Sequence, residues 1–153
     1  MNKKQLYEQV LPQLSALLQA ETNAVTNMAN LSAVLFNELP GLNWVGFYTV
    51  HREELVLGPF QGKPACMRLK RGKGVCWAAA EQGKTVIVKN VHEFAGHIAC
   101  DGATNSEIVV PVFVSGTVWG VLDIDSPEIA RFDKTDKEFL ERAVEVFVKN
   151  TSF

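Results

Sequence analysis

The chain has 153 residues, of which 47% are hydrophobic and 21% are charged. A chain of this length suits one domain and can hide about 70% of its surface on folding, which excludes intrinsic disorder and removes the need for a disulfide scaffold. Its 15 basic and 17 acidic residues give a net charge of −2. That balance excludes the basic footprint of a nucleic-acid-binding domain.

The N-terminal residues are polar and lack the apolar core of a signal peptide, and no run approaches the ~20 apolar residues of a membrane span. We therefore expect a cytoplasmic protein that makes no contact with a membrane. In that compartment thiols stay reduced, so the three cysteines favour catalytic or redox chemistry over stable disulfides.

Two helices are predicted at the N-terminal end, over residues 4–19 and 22–38. Pro12 lies inside the first of these and is expected to kink or split it. The residues that follow are mainly aromatic and β-branched, which predicts a hairpin with strands at 43–50 and 54–57.

The middle of the chain is rich in loop signals. Residues 58–74 predict a long loop with at most one short strand, followed by a short helix at 75–82 and a strand at 85–88. Residues 90–105 show no period and contain glycines, two histidines and a cysteine. A long loop inside a compact domain is usually functional.

Two strands with apolar residues on both faces are predicted at 107–114 and 117–125, joined by a two-residue turn at Ser115-Gly116. The last helix is predicted over 131–148, with Asp133 as its cap. Helices at both ends of a mostly antiparallel sheet of five or six strands indicate an α+β domain.

The cysteines are the first candidate site residues. Cys66 and Cys100 fall in loops. Two functions are open for them: a nucleophilic thiolate with a resolving partner, or metal ligation. Cys76 begins a short helix and is more readily explained as a small buried residue. Zinc is disfavoured, because the cysteine spacings match no paired zinc knuckle, although His97 and Cys100 have a ligand-like spacing.

Three acidic residues form the second candidate group. Asp123 and Asp125 share one face of a strand, since side chains alternate, and either a solvated strand end or a cation pocket would explain them. A regular two-residue turn would place Glu107 opposite Ile124, on the other face. Glu107 lies on the same face as the aspartates only if a bulge or a longer turn shifts the register, or if Glu107 precedes the regular pairing of the two strands.

Trp44 and Tyr48 form the third candidate pair, since they lie on one face of the predicted strand with Gly46 between them. Core packing explains such a pair in most proteins. The alternative is a wall around the methyl or cationic end of a small ligand.

The sequence resembles the free methionine-(R)-sulfoxide reductases over nearly its whole length, and less closely in the first and last helices. The resemblance includes all three cysteines at the family's spacing. It is carried by NWVGFY at 43–48, LVLGPFQGKPAC at 55–66, RGKGVC at 71–76, HIACD at 97–101, NSEIV at 105–109 and GVLDIDS at 120–126.

The resemblance implies a single GAF domain over residues 1–153, with a six-stranded antiparallel sheet flanked by helices. It also implies an oxidoreductase that reduces free methionine-(R)-sulfoxide, with no cofactor or metal, thioredoxin as the usual reductant and often a homodimer.

The resemblance further implies roles for individual residues. Cys100 corresponds to the nucleophile, Cys66 to the resolving cysteine and Cys76 to a secondary thiol that can also resolve. The acids correspond to residues that bind substrate and assist at the sulfoxide oxygen, and the aromatic pair to pocket walls; these residues are Glu107, Asp123, Asp125, Trp44 and Tyr48. Two roles are open for His97: activation of the Cys100 thiol, or a structural role.

Two other functions are compatible with the residues. A GAF domain that senses a small molecule without catalysis needs no triplet of cysteines at the reductase spacing, so the cysteines argue against it. A zinc-stabilised interaction domain is disfavoured by the same spacing argument that disfavours a zinc knuckle.

Overall fold

The computed structural model describes residues 1–98 and 100–153. In that part of the chain there are four α-helices, six β-strands and one turn of 3₁₀-helix. The helices are α1 (Lys3–Leu18), α2 (Ala24–Glu38), α3 (Gly74–Gln82) and α4 (Lys134–Asn150). The strands are β1 (Trp44–His51), β2 (Glu54–Gly62), β3 (Arg68–Lys70), β4 (Val86–Val88), β5 (Ser106–Val114) and β6 (Thr117–Ser126), and the 3₁₀ turn is Val91–Glu93.

The six strands form one sheet in the order β3-β2-β1-β6-β5-β4, and every neighbouring pair is antiparallel. This confirms the expected α+β fold with a six-stranded antiparallel sheet. Strands β1 and β6 lie at the centre, β2 and β5 flank them, and the three-residue strands β3 and β4 form the edges. Short edge strands present few unpaired backbone groups, which discourages pairing with another chain.

Helix α1 runs through Pro12 without a break, so the expectation that proline splits this helix is wrong. Pro12 lies on the exposed side of α1, where water can satisfy the one carbonyl whose hydrogen bond proline removes. The buried stripe continues past it with Leu14 and Leu18. The predicted cap of α4 is confirmed, because the Asp133 side chain accepts hydrogen bonds from the backbone N–H groups of Thr135 and Asp136.

Strand β2 is longer than predicted and continues to Gly62, through residues assigned from sequence to a loop. Its ladder with β1 places Trp44 opposite Gly62 and Gly46 opposite Phe60, with an irregularity before Tyr48 pairs with Leu57. Gly58 and Pro59 therefore sit at a bulge, where the missing N–H of proline costs no ladder bond. The one short strand expected in the following loop is β3.

Side chains alternate between two cores on opposite faces of the sheet. Val45 and Phe47 of β1 point to the core that α1, α2 and α4 cover. Trp44 and Tyr48 point to the other core, which α3 and the long loops cover. The accessible surface is 7784 Å², as expected for a single domain of this mass. Within the described residues, no helix combines the length and apolar character needed to cross a membrane.

Candidate active site

Glu107 lies directly opposite Asp125 in the β5–β6 ladder. The two-residue turn is present, with Val114 paired to Thr117, but the register shifts between Val112 and Phe113. Val112 pairs with Gly120 while Phe113 pairs with Val118, so Trp119 is an extra residue in β6. This bulge meets the condition that the sequence set for a three-acid group, because it turns Glu107 to the same face as Asp123 and Asp125.

Strand β1 completes this face on the other side of β6. Trp44 pairs with Asp125, and Gly46 pairs with Asp123. The sheet therefore carries a row of Glu107, Asp125 and Trp44 across three strands, with Asp123 in the next row. The indole of Trp44 lies across Gly46 and stacks on Phe60, with ring centroids 5.3 Å apart.

Cys66 and Cys100 form a disulfide with 5.6 Å between their Cα atoms, as the resemblance implied. The bond joins the loop after β2 to the loop before β5, although 34 positions separate the two cysteines. Both residues are partly exposed. The disulfide therefore links the two loops in which the sequence placed Cys66 and Cys100, above the acidic face.

Cys76 is a free, buried thiol on α3. Its Sγ and one carboxylate oxygen each of Glu107 and Asp123 all lie within 4.8 Å of one another. The prediction that Cys76 is a buried residue is confirmed, but its surroundings are acidic rather than apolar alone.

The aromatic pair fixes the loop that carries Cys66. The Trp44 indole N–H donates to the carbonyl of Lys63 at 3.1 Å, and the Tyr48 hydroxyl donates to the carbonyl of Cys66 at 2.8 Å. Both aromatic residues are almost fully buried. They are therefore core residues that also line the cavity on this face, and their role as a wall around a small ligand stays a prediction.

Sequence reasoning did not predict a hydrogen-bonded group that consists of Asn43, Asp101 and Thr104. The Asn43 side-chain amide donates to Asp101 Oδ2 and to Thr104 Oγ1, both at 3.0 Å. These bonds fasten the loop that carries Cys100 to the start of β1. The only signal in the sequence was that Asn43 and Asp101 lie in stretches that resemble the reductases, since local patterning indicates nothing about a contact across about sixty residues.

These elements enclose a small cavity of about 50 Å³. Seven of the eight predicted site residues line it: Trp44, Tyr48, Cys76, Cys100, Glu107, Asp123 and Asp125. The eighth, Cys66, is bonded to Cys100. The lining also includes His97, Leu69, Val75, Ile98, Asp101 and Thr104.

The sequence profile of the GAF domain matches residues 6–147. The chain belongs to the GAF domain family. The GAF domain described here is 45% identical over 144 residues to the protein named free methionine-R-sulfoxide reductase of Escherichia coli (strain K12), covering 94% of this chain and 87% of that protein. It is 43% identical over 161 residues to the protein of the same name from Saccharomyces cerevisiae (strain ATCC 204508 / S288c), covering 100% and 89%.

Among solved structures, the GAF domain superimposes with a TM-score of 0.95 on the X-ray structure of free methionine-R-sulfoxide reductase from Neisseria meningitidis in complex with its substrate. The identity is 45%, and the match covers 98% of this chain and 90% of that one. The resemblance stated from the sequence is thereby confirmed.

The three acids of this GAF domain are held in an environment that favours their protonated forms. Burial and the neighbouring Asp125 raise the pKa of Glu107 to about 8. Burial, followed by the charge of a neighbouring acid, also raises the pKa values of Asp123 and Asp125 well above their usual range. Oδ1 of Asp123 and Oδ1 of Asp125 are enclosed and have no hydrogen-bond partner among the described residues. The group is therefore prepared to accept a cation or to hold and release protons.

His97 is the imidazole nearest to these acids, with Nε2 3.6 Å from Glu107 Oε1. Burial lowers the pKa of His97, which favours the neutral ring. His97 therefore supplies little positive charge to offset the acids.

In the described part of the GAF domain, Cys76, Glu107 and Asp123 are the one group whose spacing suits a metal ion. The tetrahedral set of three cysteines and a histidine considered from the sequence is not assembled, because Cys66 and Cys100 are bonded to each other.

Proposed function

We propose that this GAF domain reduces free methionine-(R)-sulfoxide to methionine by thiol chemistry. The observation that carries the proposal is the position of the Cys66–Cys100 disulfide, whose Cys100 lines the cavity floored by Glu107, Asp123 and Asp125. A redox-active cysteine pair beside buried acids suits a reaction that takes an oxygen atom from a neutral substrate. The similarity to reductases over almost the whole chain supports the same conclusion.

In the proposed first step, the Cys100 thiolate attacks the sulfoxide sulfur while the sulfoxide oxygen takes up a proton. Glu107 is the proposed donor, since its raised pKa keeps a proton on it near neutral pH. The oxygen passes to Cys100, methionine leaves, and Cys100 becomes a sulfenic acid.

In the second step, the Cys66 thiol attacks the Cys100 sulfenic acid, and water leaves as the disulfide forms. The 5.6 Å between the two Cα atoms fits a disulfide without backbone movement. Cys76 is the weaker candidate for this step, because burial and the charge of Asp123 raise its thiol pKa. We therefore assign Cys66 as the resolving cysteine and Cys76 as a secondary thiol.

Asp123 and Asp125 are the proposed binding groups for the α-ammonium of the substrate. That cation exists on free methionine sulfoxide and is lost when the residue lies inside a peptide. The enclosed oxygens without partners on both aspartates would gain a charged donor when the substrate binds, and that positive charge would favour the ionised form of the aspartates. Trp44 and Tyr48 are the proposed walls around the rest of the substrate.

A dithiol such as thioredoxin is the proposed reductant of the disulfide, and turnover needs no other cofactor. A reducing compartment, the cytoplasm in the simplest case, would keep that dithiol supplied.

The decisive experiment measures methionine release from the separated R and S sulfoxides, each as the free amino acid and inside a peptide, with dithiothreitol as reductant. We expect turnover of the free R sulfoxide alone. Turnover of the peptide-bound form at a similar rate would contradict the ammonium role of the aspartates.

A thiol titration checks the same proposal without a reductant. Addition of free methionine-(R)-sulfoxide to the reduced protein is expected to remove two thiols. An unchanged thiol count would contradict catalysis and favour a GAF domain that only binds small molecules.

A further inference from the structure

The segment that carries Cys66 differs in charge from the rest of the molecule. Residues 63–73, the basic segment, contain five of the chain's fifteen basic residues and none of its seventeen acidic ones. The chain as a whole carries a net charge of −2, so one short segment concentrates the positive charge around one cysteine of the redox pair. Its cations are Lys63, Arg68, Lys70, Arg71 and Lys73.

Most of this charge faces solvent, since all five cationic residues are exposed. Arg68 pairs with Glu54 at 3.3 Å, and Arg71 pairs with Glu53 and Glu81 at 3.3 Å. Within the described part of the chain, the three lysines of the segment form no ion pair within 4.0 Å. Lys63 helps to lower the pKa of Asp101, and the charges of Lys70 and Lys73 remain available to attract a partner.

Met67 adds an apolar contact point next to the disulfide. It follows Cys66 directly and is 75% exposed, whereas large apolar side chains in this fold are mostly buried. A flexible thioether at the surface adapts to many partner shapes. An exposed apolar residue in a segment of exposed charged residues resembles the apolar centre and polar rim of a protein interface.

The backbone of the basic segment is fixed on both sides of Cys66. Tyr48 and Trp44 hold the carbonyls of Cys66 and Lys63, and the N–H of Leu57 donates to the carbonyl of Met67 at 2.9 Å. A segment held in place before binding loses little conformational entropy when a partner docks.

Protection of the sheet edge explains only part of this pattern. Arg68 and Lys70 lie on the edge strand β3, where exposed charges discourage strand pairing with another chain. Lys63 and Lys73 lie outside β3, and an exposed Met67 would favour aggregation rather than prevent it.

We propose that the basic segment is the docking surface for an acidic dithiol protein that reduces the Cys66–Cys100 disulfide, and that this protein attacks Sγ of Cys66. The inference rests on the proposed function, because it assigns the disulfide a place in a redox cycle. Opposite charges guide the encounter, and Met67 packs against the apolar surface around the partner's reactive cysteine.

The exchange balances as two displacements. A thiolate of the partner attacks Cys66 Sγ, the bond to Cys100 breaks, and Cys100 leaves as a thiolate. The second thiol of the partner then loses its proton and attacks the partner sulfur of the mixed disulfide, releasing the Cys66 thiolate. The partner ends as a disulfide, and this chain gains two electrons and, on protonation, two thiols.

The first test measures how fast the oxidised protein is reduced by a thioredoxin of net negative charge, in the absence of any sulfoxide. The double variant Lys70→Glu/Lys73→Glu is expected to lower the second-order rate constant about tenfold at low salt, and the difference should shrink as salt increases. Met67→Ser is expected to lower it about threefold. The double variant Lys4→Glu/Lys134→Glu, which makes the same charge change on α1 and α4 across the sheet, serves as the matched control.

Reduction by dithiothreitol separates docking from folding and from the proposed function. We expect equal dithiothreitol rates for all four proteins, since a small neutral dithiol does not need the surface. Equal rates with thioredoxin as well would overturn the docking surface. Loss of sulfoxide turnover with dithiothreitol would instead count against the proposed function, while the disulfide reduction rates would remain measurable.

The second test identifies the sulfur that is attacked. A thioredoxin whose second active-site cysteine is replaced by serine traps the mixed disulfide, and peptide mapping then locates the bond. We expect the bond at Cys66. A mixed disulfide at Cys100 would contradict the assignment.

Discussion

Each site residue combines a chemical group with an environment that changes its reactivity. Glu107 is a carboxyl that burial keeps protonated near neutral pH, whereas Cys76 is a thiol that burial keeps from ionising. Cys100 lines the same cavity, Cys66 is bonded to Cys100, and both cysteines are partly exposed to solvent. Burial therefore favours the protonated forms of Glu107 and Cys76, whereas the disulfide remains partly exposed to solvent.

Serine substitutions should separate the three cysteines. Cys66→Ser is expected to release about one methionine per enzyme and to stop with Cys100 as a sulfenic acid, because the remaining thiol, Cys76, is buried and resists ionisation. Cys100→Ser should release none. Quantifying methionine in a single-turnover experiment, with mass spectrometry of the protein, checks both outcomes.

Cys76→Ser is the matched control for that series and is expected to keep multiple turnover. If Cys66→Ser turned over repeatedly and the double variant Cys66→Ser/Cys76→Ser did not, Cys76 would be the resolving thiol and our assignment would be wrong.

The pH dependence of the first chemical step should report the proton on Glu107. Its pKa is raised from 4.5 to about 8, so the acid form persists through neutral pH and is lost as the pH rises through about 8. We expect the single-turnover rate to fall above that pH in the wild type. Glu107→Gln should lower the rate about a hundredfold or more and remove this high-pH decline.

Glu93→Gln provides the same chemical change on an exposed residue outside the cavity. It should keep both the rate and the pH profile. An unchanged high-pH decline in Glu107→Gln would assign the titration to another group.

At the scale of elements, the site depends on how three neighbouring strands are aligned. The extra residue Trp119 in β6 turns Glu107 toward the aspartates, and β1 brings Trp44 level with Asp125. Gly120 follows the extra residue and pairs with Thr49. A Cβ at Gly120 would run into the backbone carbonyl of Tyr48, so this glycine allows β1 and β6 to approach closely.

Gly120→Ala should therefore destabilise the protein and shift Tyr48. We expect a loss of about 1–3 kcal/mol in the free energy of unfolding, since the obstructing atom belongs to the backbone and cannot rotate away. Urea denaturation measures this change. Gly102→Ala is the control, because a Cβ there meets nothing within 4 Å. Similar stabilities for the two variants would show that the strands can separate without cost.

At the scale of the whole molecule, the sheet divides the protein into a supporting half and a chemical half. Helices α1, α2 and α4 cover one face with an apolar core, and the cavity lies on the other face beneath α3 and the linked loops. Assignment of residues 1–153 as one domain extends a few residues beyond the matched range of 6–147 and stays a prediction. So does the homodimer, which sedimentation equilibrium would measure.

Leucine truncation in α1 should separate stability from substrate binding. Leu14 is fully buried, and Leu14→Ala is expected to cost about 2–5 kcal/mol of unfolding free energy. Leu17 on the same helix is 40% exposed, so Leu17→Ala should cost far less. Well below the unfolding temperature, both variants should keep the wild-type KM for the sulfoxide. A raised KM in Leu14→Ala would show that the two halves are coupled.

Features that depend on near neighbours along the chain could be predicted from the amino-acid sequence. The order of the helices and strands, the Asp133 cap and the shared face of Asp123 and Asp125 follow from capping chemistry and from side-chain periods of 3.6 and two. The resemblance added the pairing of Cys66 with Cys100. Local reasoning was wrong about the helix break at Pro12 and the end of β2, because solvent exposure and a bulge opposite β1 decided those points.

The face that Glu107 occupies and the groups that surround it depend on the pairing of distant strands. Glu107 could lie on either face from sequence alone, since a shift of one residue in pairing reverses the whole strand. The bulge at Trp119 settles that choice, and burial against Asp123 and Asp125 then sets the proton affinity of Glu107. Register and burial depend on contacts between distant parts of the chain, which no local pattern encodes.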